Sequence, residues 1–340
     1  MRSPVIRIVP DLPVPGEAVL AEARRSGSAA AHGRFLDRIQ AFHAIEGRPP
    51  ARPAAWPKVL RLCAFNAERL KNPAGVRRLM DRAGAQVSLV SEADVGMARS
   101  GNAHTIRALT EASGEGYLYG VEFVELDLGD AREMREHAGE RNACGFHGNA
   151  VVTALGIESA LLIPLEESGF WFPGYEGAQR RIGGRIALAA RLTGGPRPLW
   201  VVSVHLESKT DPEDRRAQMG NLLRALDSLA PDAACVIGGD FNTKALPRGE
   251  EERHLLLEAP ERHEPLFADL RGAGFSWTAS NLAQPTQRTG PSNKPNPPFG
   301  KLDWIFVRGV TAENPQVAPA VDEQGRALSD HDMLAVDLRF

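Results

Sequence analysis

The chain changes its hydrophobic rhythm along its length, and the changes sort it into strands and helices. KVLRLCAFN, ending at Asn66, and QVSLVSEAD, with Glu92 just past its apolar part, alternate as strands do. Between them Val76, Leu79, Met80 and Ala83 fall on one helical stripe, opened by Pro73 and closed by Gly84. A strand–helix–strand unit with polar residues at both strand ends points to an α/β sheet with a site along one edge. Strands are also predicted over Gly120–Asp127 and Gly148–Ala154, and as a pair, Ile182–Leu192 and Leu199–Val204, joined by TGGPRP. KLDWIFVRG and the terminal SDHDMLAVDLRF read as two more. Asp214–Leu229 is a helix, with Met219, Leu222, Leu223, Leu226 and Leu229 as its core stripe. Arg248–Glu264 is charged and reads as a solvated helix. Gln284–Gly300 holds five prolines and little periodicity, so it is a long loop, and long loops in compact domains are often functional.

Residues 1–57 have a different texture. Glu17–Arg25 and Ala31–Ile45 are predicted helices, the second with Phe35, Ile39 and Phe42 on one face. GRPPARPAAWP, Gly47–Pro57, is too rich in proline to continue a helix and reads as a stiff linker. The division expected is therefore a helical extension and linker over 1–57 and a main α/β domain over 58–340. Eight basic and five acidic residues give the extension +3 and leave −6 for the rest. A basic arm can touch an anionic partner, but a helical arm packed on the main domain is the favoured reading.

Composition narrows the class. Hydrophobic residues make up 43% and charged residues 24%, as in a soluble globular protein, and the net charge of −3 does not suit a surface coated for nucleic acid. A local basic groove remains compatible with it. No apolar run is long enough to span a bilayer, and MRSPVIRIVPDLP lacks the pattern of a secretory leader. Cys63, Cys144 and Cys235 have no metal-ligand spacing and read as inert thiols of a reducing, cytoplasmic compartment.

The chemistry is concentrated at CVIGGDFNT, Cys235–Thr243. An apolar run ends in two glycines, which let the backbone turn sharply and a ligand come close, and then lifts Asp240 and Asn242 to the sheet edge. An acid and an amide two residues apart suit a hydrated cation and a phosphate oxygen. Other strand ends carry Asn66, Glu92, Asn149, His205, Asp303, Asp330 and His331. Singly, each is ordinarily a satisfied turn residue; their order and company carry the signal.

That order, with GGDFN, VHLES, KLDWIFV and SDH, closely resembles the endonuclease/exonuclease/phosphatase superfamily, from about Val59 to Phe340. The resemblance implies a four-layered α/β/β/α sandwich of two packed mixed sheets with outer helices, as in pancreatic-type DNases. It also implies roles. Glu92 resembles the metal-binding glutamate, supported by Asn66, and Asp330 a further carboxylate facing the metal. Asp240 and Asn242 look like the pair that orients the attacking water and the phosphate. His331 resembles the catalytic histidine, Asp303 its orienting carboxylate, and His205 the second histidine of DNase-like branches. Asn149 sits where many members place a phosphate-contacting asparagine. The implied cofactor is Mg²⁺, with Mn²⁺ as an alternative. Mg²⁺ prefers oxygen ligands and is usually held by one or two carboxylates plus substrate phosphate.

Without a cysteine or serine constellation, water is the natural nucleophile and a phosphoester the substrate, nucleic acid among the candidates. His205-Leu206 stands where abasic-site nucleases usually carry Pro-Asn, which disfavours that branch. Three readings stay open here: a phosphodiesterase or nuclease, a phosphomonoesterase or lipid-head-group phosphodiesterase, and a catalytically dead binding module. The intact acid and histidine set speaks against the third. Arg180, Arg181 and Arg185 are candidates for a phosphate-contacting stripe but read better as a solvated strand face, and Trp277 and Trp304, which could stack a base or a lipid head group, read better as core.

Overall fold

A computed structural model describes residues 2–174, 179–229 and 233–340. Two sheets are packed face to face. The larger runs, edge to edge, through Ile8–Val9, Ile45–Arg48, Gly116–Glu125, Phe146–Thr153, Val87–Val95, Leu60–Arg69, Met333–Arg339 and Thr311–Ala318, with Arg181–Gly183 pairing to Gly116–Glu125. The smaller runs through Asp303–Arg308, Ala234–Asp240, Leu199–His205, Ile186–Leu192 and Ile157–Pro164. Leu62, Leu89 and Val151 from one sheet meet Leu188, Val201, Val236 and Ile305 from the other in a core closed to water. Both sheets mix parallel and antiparallel pairs.

Each sheet buries its outer face under helices, which completes the four layers. The helix Pro73–Ala83 covers the larger sheet with Val76, Leu79 and Met80. It is bounded as its sequence predicts: Asn72 caps it through the Gly75 N–H, and Gly84 ends it at φ 70°. Pro212–Leu229 and Leu266–Gly272 cover the smaller sheet, where Met219, Leu222 and Phe267 pack with Trp277 and Trp304. Cys63 and Cys235 are buried strand residues whose thiols burial pushes up to about 12.

Some elements depart from the sequence reading. Within Arg248–Glu264 only Leu255–Glu258 forms an α-helical turn, followed by a 3₁₀ turn at Pro260–Arg262. The stretch has no apolar stripe to bury, and Pro260 interrupts it. The helix expected over Ala31–Ile45 is His32–Arg38, a 3₁₀ turn Gln40–His43 and then the strand Ile45–Arg48. Ile39 turns extended between the first two, yet Phe35, Ile39 and Phe42 still reach one core. Gly47 and Arg48, read as the start of a linker, instead pair with Leu118 and Tyr117. The rest of the proline-rich stretch is docked through Ala51 N–H to Gly114, Ala54 N–H to Ala154 and Trp56 against Phe340.

The first residues strap both sheets: Val5 bridges to Leu162 of the smaller, and Ile8 pairs with Ile45 of the larger. Glu46 fastens this arm. Its buried carboxylate accepts from Leu12 N–H at 3.0 Å and from Tyr117, Arg107 and His104 at 2.7 Å each. Burial opposes its charge, but the bonds from His104 and Tyr117 outweigh burial and hold the carboxyl down at about 2. A depressed carboxyl stabilises the fold fully above its ordinary value near 4.5 and loses that contribution as pH falls through about 2. Glu46→Ala is therefore expected to cost about 3 kcal/mol at pH 7. In urea titrations the gap between variant and parent should shrink as pH drops from 4.5 toward 2; a gap independent of pH would contradict the assignment.

Candidate active site

Three of the four consecutive strands from Gly116–Glu125 to Leu60–Arg69 in the larger sheet slip out of register. The shifts fall between Asn66 and Arg69, between Val90 and Ala93, and between Val121 and Phe123. A bulge bends its strand and re-aims a side chain. Each slip carries a glutamate: Glu68, Glu92 and Glu122. Glu68 and Glu92 have φ of 42° and 54°, a left-handed conformation that L-residues adopt at a cost of roughly 1 kcal/mol or more.

Opposite them, the smaller sheet ends in one row of chemistry. His205 is paired in register with Asp240, and Asp240 with Asp303. Gly239, before Asp240, has φ 143°, and a β-carbon there would lie 2.0 Å from the Val204 carbonyl oxygen, so only glycine fits.

Asp240 is the hub where the two sheets meet. Its Oδ2 accepts from Asn66 Nδ2 at 3.0 Å and lies 3.8 Å from Nε2 of both His205 and His331. The same Asn66 nitrogen reaches Glu92 Oε1 at 3.2 Å. Glu92 and His331 are therefore linked through Asn66 and Asp240 on one side of the molecule. Asp240 Oδ1 accepts the backbone N–H of Asn242, whose own Nδ2 donates to the Leu206 carbonyl. Behind His331, Asp303 Oδ2 lies 2.7 Å from Nδ1. Burial alone would favour a neutral imidazole, but Asp303 and Asp240 outweigh it and raise the proton affinity of His331 well above the ordinary range. The positive charge of the pair belongs on His331, because the ring faces Asp240 and Asp330 as well as Asp303.

His205 has a carboxylate of its own that the sequence reading missed. Glu122 Oε2 is 3.3 Å from His205 Nδ1, inside an otherwise apolar strand where a glutamate is itself a signal. Arg185 Nη1 lies 2.9 Å from the same ring nitrogen, and its Nε is 3.0 Å from Glu207. Arg181 is stacked on Phe123 and Trp171 and paired with Glu125. The solvated-face reading is thus corrected for both arginines. They are buried because glutamates on facing elements neutralise them. Asn149 lies on the strand between the Glu92 and Glu122 slips; fully buried, it donates to the Ile186 carbonyl, and its Oδ1 has no hydrogen-bond partner.

Asp330 is half-buried beside Glu68, a second carboxylate absent from the sequence reading. Burial and Asp330 push the Glu68 carboxyl up to about 7, and its Oε2 is buried without a hydrogen-bond partner. The proline-rich loop walls this side: Arg288 N–H binds the Asp330 carbonyl, and Gln287 pairs with His331. One ligating atom each of Asp240, Asp303 and His331 lies within 4.8 Å of the others, but Asp303 and His331 are committed to each other. Glu92, Asp330, Glu68 and Asp240 contribute carboxylate oxygens nearby, one of them orphaned, and oxygen donors without a thiolate are the chemistry that suits a hard divalent cation.

The acids and histidines gather where the two sheets of the sandwich meet, and comparison with known proteins identifies the family. The profile described as "Endonuclease/Exonuclease/phosphatase family" matches residues 63–331, and the chain belongs to that family. Among solved structures, the endonuclease/exonuclease/phosphatase of Beutenbergia cavernae DSM 12333 is 17% identical with a TM-score of 0.57, over 84% of this chain and 72% of that one. D. rerio TDP2 complexed with a single-strand DNA product is 16% identical with a TM-score of 0.53, over 84% and 100%. The human Nocturnin catalytic domain with bound sulfate is 15% identical with a TM-score of 0.51, over 87% and 97%. No curated protein matches the chain. Among the described residues no helix is long and apolar enough to cross a membrane.

Proposed function

We propose that the protein is a divalent-cation-dependent phosphodiesterase acting on nucleic-acid phosphodiesters by attack of water. The observation that carries this is the position of Asp240, between a histidine bonded to Asp303, a second histidine beside Glu122 and Arg185, and the amide that joins it to Glu92. Glu92, with Asp330, Glu68 and Asn66, would hold Mg²⁺ or Mn²⁺. A cation there supplies charge neutralisation for the phosphate and for the leaving oxygen. Asp240, with Asn242 fixing its rotamer, orients the water. His331, kept charged by Asp303, presents Nε2–H to the phosphoryl group, and His205 faces the same space from the other side. The likeness to D. rerio TDP2, solved with a DNA product, favours a nucleic acid over a lipid head group.

The test is a panel with Mg²⁺ or Mn²⁺: plasmid DNA, single-stranded DNA, RNA, bis-p-nitrophenyl phosphate, phosphoinositides and sphingomyelin. Hydrolysis of the synthetic diester and of a nucleic acid, abolished by chelator, is expected. Turnover confined to the lipids would replace this reading. Glu92→Gln keeps size and removes charge, so activity should fall and the cation concentration for half-activation should rise roughly tenfold or more. An unchanged cation dependence in that variant would place the ion elsewhere.

A further inference from the structure

Just past Asn66 the chain makes a turn of three consecutive left-handed residues, none of them glycine: Glu68, Arg69 and Leu70, at φ 42°, 71° and 52°. Such a run persists only where its surroundings enforce it. Leu70 is buried in the outer core, and Ser329 Oγ donates to the Asn66 carbonyl at 2.7 Å. The turn sends Arg69 back across the sheet between two glutamates. Its Nη1 donates to Glu92 Oε2 at 3.2 Å, and its Nε lies 2.9 Å from Glu133 Oε1. Glu133 is fully buried and belongs to a capping box at the start of the helix Ala131–Glu136. It also takes Arg99 at 3.1 Å, Lys71 at 3.5 Å and the Asp130 N–H at 3.0 Å. Arg69 is therefore not needed to keep Glu133 partnered. Its singular contact is with Glu92, whose other oxygen is taken by Asn66.

We infer that Arg69 is a positioning residue that acts as a built-in counter-cation of Glu92 and weakens the free protein's hold on a divalent ion. The inference rests on the reading that Glu92 binds the cation. Arg69 occupies the second oxygen of that carboxylate, and a guanidinium cannot give up its charge to make room. A fixed positive charge so near the ligating oxygens repels a dication. Even at an effective dielectric of ~20, that repulsion is worth roughly a factor of ten or more in affinity. Glu133, on the far side of the guanidinium, draws Arg69 away from Glu92 and sets how strongly it competes.

The experiment is calorimetric titration of the full chain with Mn²⁺ alone, with no substrate and no activity readout. Arg69→Met is expected to bind Mn²⁺ roughly tenfold or more tightly than the parent, and Arg69→Lys, which keeps the charge, to stay within about threefold. Glu133→Gln retains the capping box but leaves the guanidinium to Glu92, so its affinity should fall severalfold. Arg69→Met with unchanged or weaker affinity and an intact fold would overturn the inference. If that variant does not fold, Glu133→Gln decides alone, and an affinity equal to or above the parent's overturns it. Glu92→Gln separates the two levels. Loss of Mn²⁺ binding there with no effect at Arg69 sinks only the counter-cation, whereas parental binding in Glu92→Gln sinks the metal assignment as well.

Discussion

His331→Ala and Asp303→Asn are each expected to lower turnover of a diester by about 10²–10⁴-fold, the range for a lost acid–base group. The double variant should be little worse than His331→Ala alone. The reason is geometric: Asp303 Oδ2 lies 2.7 Å from His331 Nδ1, and no second histidine is within its reach among the described residues. Asp303 is itself fixed by two backbone N–H groups, Leu302 and its own, that converge on Thr286 Oγ1 at 3.0 Å each. Remove the ring and the carboxylate has nothing to orient; remove the charge and the ring is free to turn or lose its proton. Residues that act as one unit are not additive. Single-turnover rates on bis-p-nitrophenyl phosphate for the parent, both singles and the double close the cycle. Multiplicative losses in the double variant would break the pairing even if each residue mattered alone.

How far the sequence revealed this site depends on what kind of signal each residue leaves. Asp240, Asp303 and His205 lie where apolar strand runs end, and strand ends are legible from alternation and glycine punctuation. Their alignment in one row is a consequence of register, which a single sequence does not display. Glu68 was missed because a bulge re-aims it, and Glu122 because its partner lies on the other sheet: it keeps the parity of Leu118 and Gly120, which face the smaller sheet, and meets His205 there. Arg181 and Arg185 were misread for a related cause. A charged run looks solvated until the fold supplies buried acids such as Glu125 and Glu207 to meet it. The strand Ile157–Pro164 runs apolar without alternation, the helix Leu266–Gly272 is too short to show a period of its own, and both owe their form to the layers they pack on.

Asp240→Asn is expected to be the most damaging single exchange, and to harm activity without harming the fold. The change is isosteric, and the asparagine Oδ1 keeps the backbone bond from Asn242 N–H, while its Nδ2 faces Asn66, whose amide retains Glu92 Oε1 as an acceptor. The negative charge is what disappears, and two neighbours depend on it. Two histidines face Asp240 Oδ2 at 3.8 Å, one from each flank, and Asp240 is second only to Asp303 among the carboxylates that keep His331 charged. Loss of that charge removes the acceptor that orients water and weakens the imidazolium at the same time, so kcat/KM should fall by roughly 10³-fold or more. Stability should move the other way or stay level. Asp240 is buried in a patch where it raises the proton affinity of both Asp303 and Asp330, and relief of such like-charge crowding is a common stabilising change at functional sites. Thermal melts beside initial rates on the synthetic diester test both halves. A variant that melts well below the parent would recast Asp240 as a structural bridge between the sheets, and one that keeps activity within tenfold would remove it from the chemistry.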